Sequence, residues 1–435
     1  MNQKRQPFNI DQVQRVHCIG VGGIGLSALA RFLYAEKKQV SGSDRTLTDL
    51  TRSLAAEGIQ VMSPQSAANI TTDIELVIYS EAMDQQHEEM VAARTLGVPM
   101  VNYFTALGAC VNPYYLIAVA GTHGKTTTTA MLTDVFEAAG KDPTAVIGSL
   151  RASTMSNFRY GKSKYALVEA CEYRRDFLSL RPDILVITNI EHEHPDYYTD
   201  LADVQAAFCA LLDQVNEGGV VITNPSDPNL APVLAECSAS IIDYTKYLDL
   251  QLPLRQPGLH NRYNAAAALA VAAHERLDRD TTRQALARFA GSWRRFEYKG
   301  EYRGAAVFDD YAHHPSEIEA TIAGARELYP RHRITVVFQP HTFSRTRALF
   351  DRFARSLAGA DRALVLPIYA AREENVSGVT SRELVVKAME HHSNIAYVES
   401  FDAAIAHLTP TLGSDDVVIV MGAGDVTEVA NRLTT

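Results

Sequence analysis

Short apolar, β-branched runs recur along the chain: Val16–Val21, Leu76–Tyr79, Leu116–Ala120, Ala166–Val168, Ile184–Ile187, Val220–Ile222, Thr335–Phe338, Leu364–Leu366 and Val417–Val420. Near-continuous runs of this kind predict strands of parallel sheets covered on both faces. Between them, helical spacing appears at Ile24–Tyr34, Thr126–Ala139, Val204–Leu212 and Thr346–Leu357, and the alanine-rich Ala265–Ala273 reads as a buried helix. Strand and helix alternating from end to end predict an α/β chain of doubly wound, Rossmann-like units. At 435 residues, two or three domains are expected. Asn112-Pro113 and Gly291-Ser292 interrupt the pattern and divide the chain into residues 1–112, 113–290 and 291–435.

Composition narrows the function classes. A hydrophobic content of 46% supports a core in each domain, and a net charge of −10 argues against a general nucleic-acid surface. Five cysteines without a CxxC pair argue against a disulfide framework and fit a reducing compartment. The N-terminal MNQKRQPFNI is basic but has no apolar run behind it, so it does not read as a signal peptide. No apolar stretch is long enough to cross a bilayer. The expectation is a cytoplasmic enzyme or binding protein without nucleic-acid or membrane partners, monomeric or weakly dimeric.

Two glycine loops carry the chemistry. In the first, Gly20, Gly22 and Gly25 fit GxGxxG between a strand and a helix, with Gly23 among them. Such a turn lets backbone approach a pyrophosphate at a helix N-terminus. Asp44, ending the strand Val40–Asp44, sits where a ribose-binding acid would. Taken alone, this loop favours an NAD-binding domain and an oxidoreductase; it reports a diphosphate ligand without saying which. The second loop, Gly121-Thr122-His123-Gly124-Lys125-Thr126-Thr127, follows the strand Leu116–Ala120 and opens a helix. Backbone amides at such a turn form an anion nest, Lys125 can reach terminal phosphates, and the Thr126 hydroxyl can ligate Mg²⁺. The loop is shorter than GxxxxGK[ST], because Val119 stands at the first glycine position. Two phosphate loops on separate domains suggest ATP and a nucleotide-tagged substrate, although an ATP-driven switch protein would share the second loop.

GVGGIG followed by GTHGKTT resembles the Mur ligases. The resemblance extends through Glu169-Ala170-Cys171-Glu172, Thr188-Asn189-Ile190-Glu191, His194, Gly258–Asn264, Arg294-Arg295-Phe296-Glu297, Asp309–Pro315, Phe338-Gln339-Pro340-His341 and Gly422-Ala423-Gly424-Asp425. These segments stand in the family's order over nearly the whole chain. The resemblance implies three domains: an N-terminal Rossmann-like domain for a UDP-substrate, a central phosphate-loop ATPase domain and a C-terminal Rossmann-like domain. Within the family it looks like the members that add the first amino acid. It then implies that ATP, UDP-N-acetylmuramate and L-alanine give UDP-N-acetylmuramoyl-L-alanine, ADP and phosphate. The members that return a tripeptide to UDP-N-acetylmuramate share most of these motifs.

The resemblance also assigns residues. Gly20, Gly22, Gly23, Gly25, Ser43, Asp44 and Ser80 are candidates for the UDP-substrate, and Lys125 for the γ-phosphate. Thr126, Glu169 and His194 are the candidate Mg²⁺ ligands; from spacing alone, His192 and His194 also read as a solvated loop or a zinc site. His260, Asn261 and Asn264 imply the adenine side of ATP, against simple helix capping by Asn261. Arg295 and Asp310 imply groups that close over the phosphates and ribose, with Arg294 expected in solvent. Tyr311, His313 and Arg345 match positions for the incoming amino acid, Arg345 as a fork for its carboxylate and His313 beside its amine. From sequence alone, His313-His314 before Pro315 also reads as a helix start.

Three positions depart from the family's pattern. Cys171 stands where an acid is common, Thr342 follows His341 where arginine is common, and Val101-Asn102-Tyr103-Phe104 lacks an arginine often found near the UDP-sugar.

Overall fold

The computed structural model of the chain describes residues 9–81 and 83–435. The stretch read as lacking a leader therefore lies, up to residue 8, outside the described residues. The fold is α/β, with three domains built on three sheets. The chain forms two compact units. The first contains Met1–Ile190, Gln205–Tyr247 and Ala266–Leu286; the second contains Glu191–Val204, Leu248–Ala265 and Ala287–Thr435.

The first unit holds two sheets. One is parallel, in the order β3-β2-β1-β4-β5, from β1 (Arg15–Ile19), β2 (Gln39–Ser43), β3 (Gln60–Met62), β4 (Leu76–Tyr79) and β5 (Met100–Asn102). The other comprises β6 (Tyr115–Ala120), β7 (Thr144–Arg151), β8 (Ser156–Arg159), β9 (Tyr165–Glu169), β10 (Ile184–Ile187), β11 (Val220–Thr223) and β12 (Ser240–Asp243), in the order β12-β11-β10-β6-β9-β7-β8. Only the β7–β8 pair is antiparallel in it. Its central strands are the buried apolar runs: β10 and β11 are buried at every position. By contrast, β12 reads Ser-Ile-Ile-Asp and is partly exposed, so its apolar run is only two residues long.

The β7–β8 hairpin joins the two sheets of this unit. Asn157 is fully buried on β8. Its amide donates to the Ile24 carbonyl and to Ser27 Oγ at 2.9 Å, and its Oδ1 accepts from Arg31 Nη1 at 2.6 Å. All three partners lie on the helix Ile24–Ala35 that follows the first glycine loop. Arg31 is in turn paired with Glu57 at 2.7 Å. Beside this knot, Phe32 packs edge-on against Tyr114, Phe158 and Tyr160.

The second unit is built on β13 (Glu297–Tyr302), β14 (Ala305–Asp310), β15 (Arg333–Phe338), β16 (Arg362–Val365), β17 (Ile395–Tyr397) and β18 (Asp416–Met421), in the order β13-β14-β18-β15-β16-β17. The antiparallel β13–β14 hairpin went unpredicted because β13, Glu-Tyr-Lys-Gly-Glu-Tyr, carries no apolar run. Helices cover both faces, giving two cores around Phe338–Phe353 and around Val420–Val429. The helix expected over 346–357 is two helices, Phe343–Ala348 and Phe350–Ser356. Leu349, at φ −110° and ψ 20°, breaks the helical path between them. Arg294, expected in solvent, is buried: it pairs with Asp309 at 3.0 Å and donates to the carbonyls of Gly422 and Gly424. It ties the start of this domain to the segment after β18.

Asn157→Ala leaves Arg31 Nη1 short of its partner inside the first unit, while the Ile24 carbonyl keeps Ser27 Oγ. Unsatisfied buried groups cost about 1–3 kcal/mol each before relaxation. Urea titration is expected to show a loss in that range; a change below about 0.5 kcal/mol, the scale of ordinary surface substitutions, removes Asn157 from its clamping role.

Candidate active site

The second glycine loop leaves β6 at Ala120. Gly121 has φ +127°, and a Cβ there would lie 2.0 Å from Thr188 Oγ1, so only glycine fits. Gly124, at φ 84°, caps the helix Lys125–Ala138 without a side-chain bond. The first-turn amides of that helix, including those of Lys125, Thr126 and Thr127, lack helical acceptors of their own and form the anion-binding end. The amides of Thr122 and His123, counted in the nest from sequence, are committed instead to Asn189: Thr122 donates to its carbonyl at 2.9 Å and His123 to its Oδ1 at 3.0 Å. Asn189, at the end of β10, thus shapes the turn from behind. Nothing local in the sequence marks Asn189 for this role.

Lys125 Nζ donates to the carbonyls of Gly121 at 2.5 Å and Thr122 at 3.0 Å. It also pairs with Glu172, at 2.8 and 3.1 Å from its two oxygens. Burial pulls this ammonium down, but Glu172, helped by Glu169, outweighs it and holds it above the ordinary lysine range. Glu172 is 1% exposed, and its role as counterion is set by a contact with Lys125 that no local sequence signal marks.

Thr126 and Glu169 meet. Thr126 Oγ1 donates to Glu169 Oε1 at 3.0 Å, and Glu169 Oε2 accepts the Gly148 amide at 2.7 Å. A Cβ on Gly148 would lie 2.4–2.5 Å from that carboxylate, so glycine leaves the cradle open. Two hard oxygen donors at a strand end suit magnesium. Cys171, in the position where an acid is common, is a neutral thiol, its pKa pushed up to about 12 by burial. It adds no negative charge to this cradle.

In the first loop, the amides of Gly20 and Val21 donate to the Ser43 carbonyl, and the Gly22 amide donates to Asp44 Oδ2 at 2.8 Å. Asp44 therefore props the glycine turn. The Ser43 hydroxyl, a candidate ligand contact from sequence, is fully buried and donates to Glu89 at 2.6 Å. It supports the loop from within the core. Gly23 caps the next helix with no side-chain bond, leaving the first-turn amides of Ile24 and Gly25 for an anion. A Cβ on Gly25 would strike the Tyr103 ring at 2.8 Å. Ser80 follows β4, at the same strand ends as the loop.

The second unit gathers His194, His313, His341 and Arg345 around a buried carboxylate, Glu193. Arg345 Nε donates to Glu193 Oε1 at 2.8 Å, and its Nη1 donates to His341 Nδ1 at 3.0 Å. Burial disfavours ionised Glu193, but Arg345, then His313, His194 and His314, more than offset it and hold the carboxyl well below its usual range. Arg345 is thus already engaged, where sequence reading expected an open fork. His313 Nδ1 donates to the Tyr311 carbonyl at 2.9 Å, which places the lone pair on Nε2. Burial, partly opposed by Glu317, lowers its pKa to about 3. His341 stacks on Tyr369 at 5.7 Å between ring centroids, and burial followed by Arg345 lowers its pKa to about 4. His194 is held at φ 55°, and its amide is bonded to the Glu193 side chain. Thr342 lies at φ 64° and caps the helix carrying Arg345.

Elsewhere in this unit, Arg295 lies over the Tyr311 ring at 5.2 Å and 3.6 Å from Glu317. Asp310 accepts the amides of Phe296 and Ala312, and burial raises its carboxyl to about 6. It braces the segment that presents Arg295 and Tyr311. His314 is the N-cap of the helix Pro315–Leu328, so the helix-start reading applies to His314 and leaves His313 to the site. The helix Leu259–His274 opens two residues before Asn261, which is therefore not its cap. The Asn261 amide donates to the Pro257 carbonyl at 2.8 Å, and Asn264 donates to Asn261 at 3.2 Å. His260 is exposed on the same turn.

Residues 15–115 match the model described as "Mur ligase family, catalytic domain", residues 119–247 the "Mur ligase middle domain", and residues 294–424 "Mur ligase, glutamate ligase domain". The chain is 40% identical over 448 residues to the UDP-N-acetylmuramate–L-alanine ligase of Agathobacter rectalis, covering 96% of this chain and 97% of that protein. It is 39% identical to the enzyme of the same name from Solibacter usitatus, covering 97% and 94%. Among solved structures, the UDP-N-acetylmuramate–alanine ligase of Thermotoga maritima superposes with a TM-score of 0.81 at 27% identity, covering 96% of this chain and 98% of that one. A murein peptide ligase from Psychrobacter arcticus shares the fold, with a TM-score of 0.71 at 23% identity over 97% and 98%. Three domain matches in order and relatives aligned along nearly their whole length establish that the chain belongs to the Mur ligase family.

Proposed function

We propose that the chain is an ATP-dependent amide-forming ligase that joins L-alanine to the carboxylate of UDP-N-acetylmuramate through an acyl phosphate, a cytoplasmic step of peptidoglycan precursor synthesis. The observation that carries this reading is the Lys125–Thr126–Glu169 cradle at the strand ends of the second sheet, in a chain 40% identical to a ligase of that name. In this reading residues 1–112 hold the UDP-substrate, 113–290 hold ATP, and 291–435 hold the amino acid.

A carboxylate does not condense with an amine at neutral pH, so it must first acquire a leaving group. One of its oxygens attacks the γ-phosphorus, the bond to the bridging oxygen breaks, and ADP departs. The amine of alanine then adds to the acyl carbon, phosphate leaves, and one amine proton passes to solvent. The work of the protein is alignment and charge screening. Lys125 and the first-turn amides of its helix take the β- and γ-phosphates. Thr126 and Glu169 would hold Mg²⁺, which would screen phosphate charge when bound. His260, Asn261 and Asn264 serve the adenine, and Arg295, braced by Asp310, serves the phosphates. Gly20, Gly22, Gly23 and Gly25 carry the diphosphate of the sugar nucleotide, with Asp44 and Ser80 beside it.

Alanine meets Arg345 through its carboxylate, with Tyr311 alongside, and His313 Nε2 through its amine. A histidine with a pKa of about 3 is neutral throughout the working range. It accepts a hydrogen bond and fixes the amine lone pair, while storing no proton.

Four measurements test this reading. Release of ADP and phosphate is expected only with UDP-N-acetylmuramate and L-alanine together; turnover with the tripeptide in place of alanine indicates the recycling reaction, and nicotinamide reduction overturns the reading. Arg345→Lys keeps a cation for Glu193 but loses the fork, so the KM for alanine is expected to rise roughly tenfold, on the scale of about 1.4 kcal/mol, while the KM for ATP holds; an unchanged alanine KM removes Arg345 from the site. Hydrogen bonds to charged groups are worth about 1.5–3 kcal/mol, so His313→Gln is expected to lower kcat/KM for alanine roughly ten- to hundredfold. Because His313 stays neutral above its depressed pKa, the pH profile from 5 to 9 should keep its shape; loss of an acid limb would show that His313 titrates there.

A further inference from the structure

Immediately after Glu172, the chain takes a conformation that L-residues avoid. Arg174 (φ 54°, ψ 20°) and Arg175 (φ 61°, ψ 25°) are consecutive left-handed residues inside the short 3-10 segment Tyr173–Ser179. Left-handed backbone disfavours any side chain with a Cβ, and such strain persists where the surroundings over-determine it. Here they do. The Arg175 amide donates to the Glu172 carbonyl at 2.9 Å, the Phe177 amide donates to the Cys171 carbonyl at 3.1 Å, and the Phe177 ring is fully buried. A glycine would relax this turn, yet two arginines occupy it.

The strain has a definite product. It carries the Arg174 guanidinium to 3.7 Å from Glu81, with 49% of the side chain exposed. Glu81 follows β4 by two residues, at the strand ends of the first sheet where the first glycine loop also lies. Its other oxygen accepts from the Asn102 amide, at the end of β5. An arginine from the ATP-binding sheet is thereby delivered to the ligand edge of the sugar-nucleotide sheet, within one compact unit. Beside it, Asp176 is 9% exposed, and its Oδ2 has no hydrogen-bond partner among the described residues. Buried polar atoms are ordinarily satisfied, so a ligand hydroxyl or amide is wanted there. Burial, then Glu81, raises the Asp176 carboxyl to about 7, with Arg174 opposing.

We infer that Arg174, tethered by Glu81 and flanked by Asp176, binds the carboxylate of the sugar-nucleotide substrate and presents it for phosphorylation. This assignment rests on the ligase reading above. The diphosphate has the glycine-loop amides to receive it. The acid must instead stand near the metal carboxylate, and Arg174 lies five residues beyond Glu169 on the same segment. A guanidinium there orients two oxygens at once and reduces their repulsion from the γ-phosphate.

The test compares wild-type chain with Arg174→Gln, Arg174→Lys and Arg174→Gly. The ligands are UDP-N-acetylmuramate and UDP-N-acetylglucosamine, which lacks the acid. Arg174→Gln is expected to weaken UDP-N-acetylmuramate binding at least tenfold by calorimetry, leaving UDP-N-acetylglucosamine affinity and the KM values for ATP and alanine within twofold. Arg174→Lys should recover part of the loss. Arg174→Gly relieves the left-handed turn, so its Tm should equal or exceed that of the wild type while its UDP-N-acetylmuramate binding falls as in Arg174→Gln. That combination separates substrate contact from a role in folding. Unchanged UDP-N-acetylmuramate affinity in Arg174→Gln, or equal loss for both sugar nucleotides, overturns the inference. Failure of the wild-type chain to bind UDP-N-acetylmuramate at all instead overturns the ligase reading beneath it.

Discussion

A lysine ammonium at the start of a buried helix needs a counterion, and the Lys125–Glu172 pair is the constraint around which the first unit is arranged. The helix N-terminus already carries partial positive charge, so the ammonium adds to a site short of negative charge. Glu172 supplies it from a segment whose own course is fixed by Phe177 and by two left-handed arginines. The same segment begins with Glu169, locked by Gly148 and Thr126. Glu169, the Glu172 counterion of Lys125 and the turn bearing Arg174 are therefore one continuous piece of chain. A shift of β9 would disturb all three.

The parts of this design legible in the sequence were those with strong local rules. Central parallel strands show as apolar runs, and the two glycine loops show as glycines at fixed spacing before helices. Glu169 stands out at the end of the apolar run Tyr165–Val168, whereas His313 is singled out by the family resemblance and by no local rule. What escaped was set by contacts distant in sequence. Asn157 reads as an ordinary polar residue on a short hairpin, and its three partners lie more than a hundred residues upstream. Arg294 reads as half of a solvated pair until Asp309 and the carbonyls after β18 are brought around it. Ser43 and Asp44 stood in the right place beside the first loop. Which of them faced inward depended on Glu89, nearly fifty residues on.

The second unit solves a similar charge problem with neutral groups. Glu193 is ionised and Arg345 is its partner, but the imidazoles of His313 and His341 stay uncharged because burial and Arg345 together disfavour protonation. The cluster thus keeps one strong cation and one open acceptor, His313 Nε2, because His341 Nδ1 already accepts from Arg345. That combination suits a zwitterion such as an amino acid, whose carboxylate seeks the guanidinium and whose nitrogen seeks a lone pair.

Both units therefore hold their key cation on a buried carboxylate, Lys125 on Glu172 and Arg345 on Glu193. Breaking such a pair outright costs about 3–5 kcal/mol, because one charge is left buried and alone. An incoming anion gains net free energy only if it satisfies the cation at least as well and leaves the carboxylate supported. A triphosphate with several charged oxygens can share Lys125 with Glu172, using the helix amides for the remainder. A monovalent carboxylate at Arg345 has less to offer, so its share must come from the Nη2 side of the guanidinium, with Nε still on Glu193. On the proposed assignment of Arg345, affinity for the amino acid is then modest by construction, and selectivity rests on His313 Nε2 and the neighbouring rings more than on the ion pair itself.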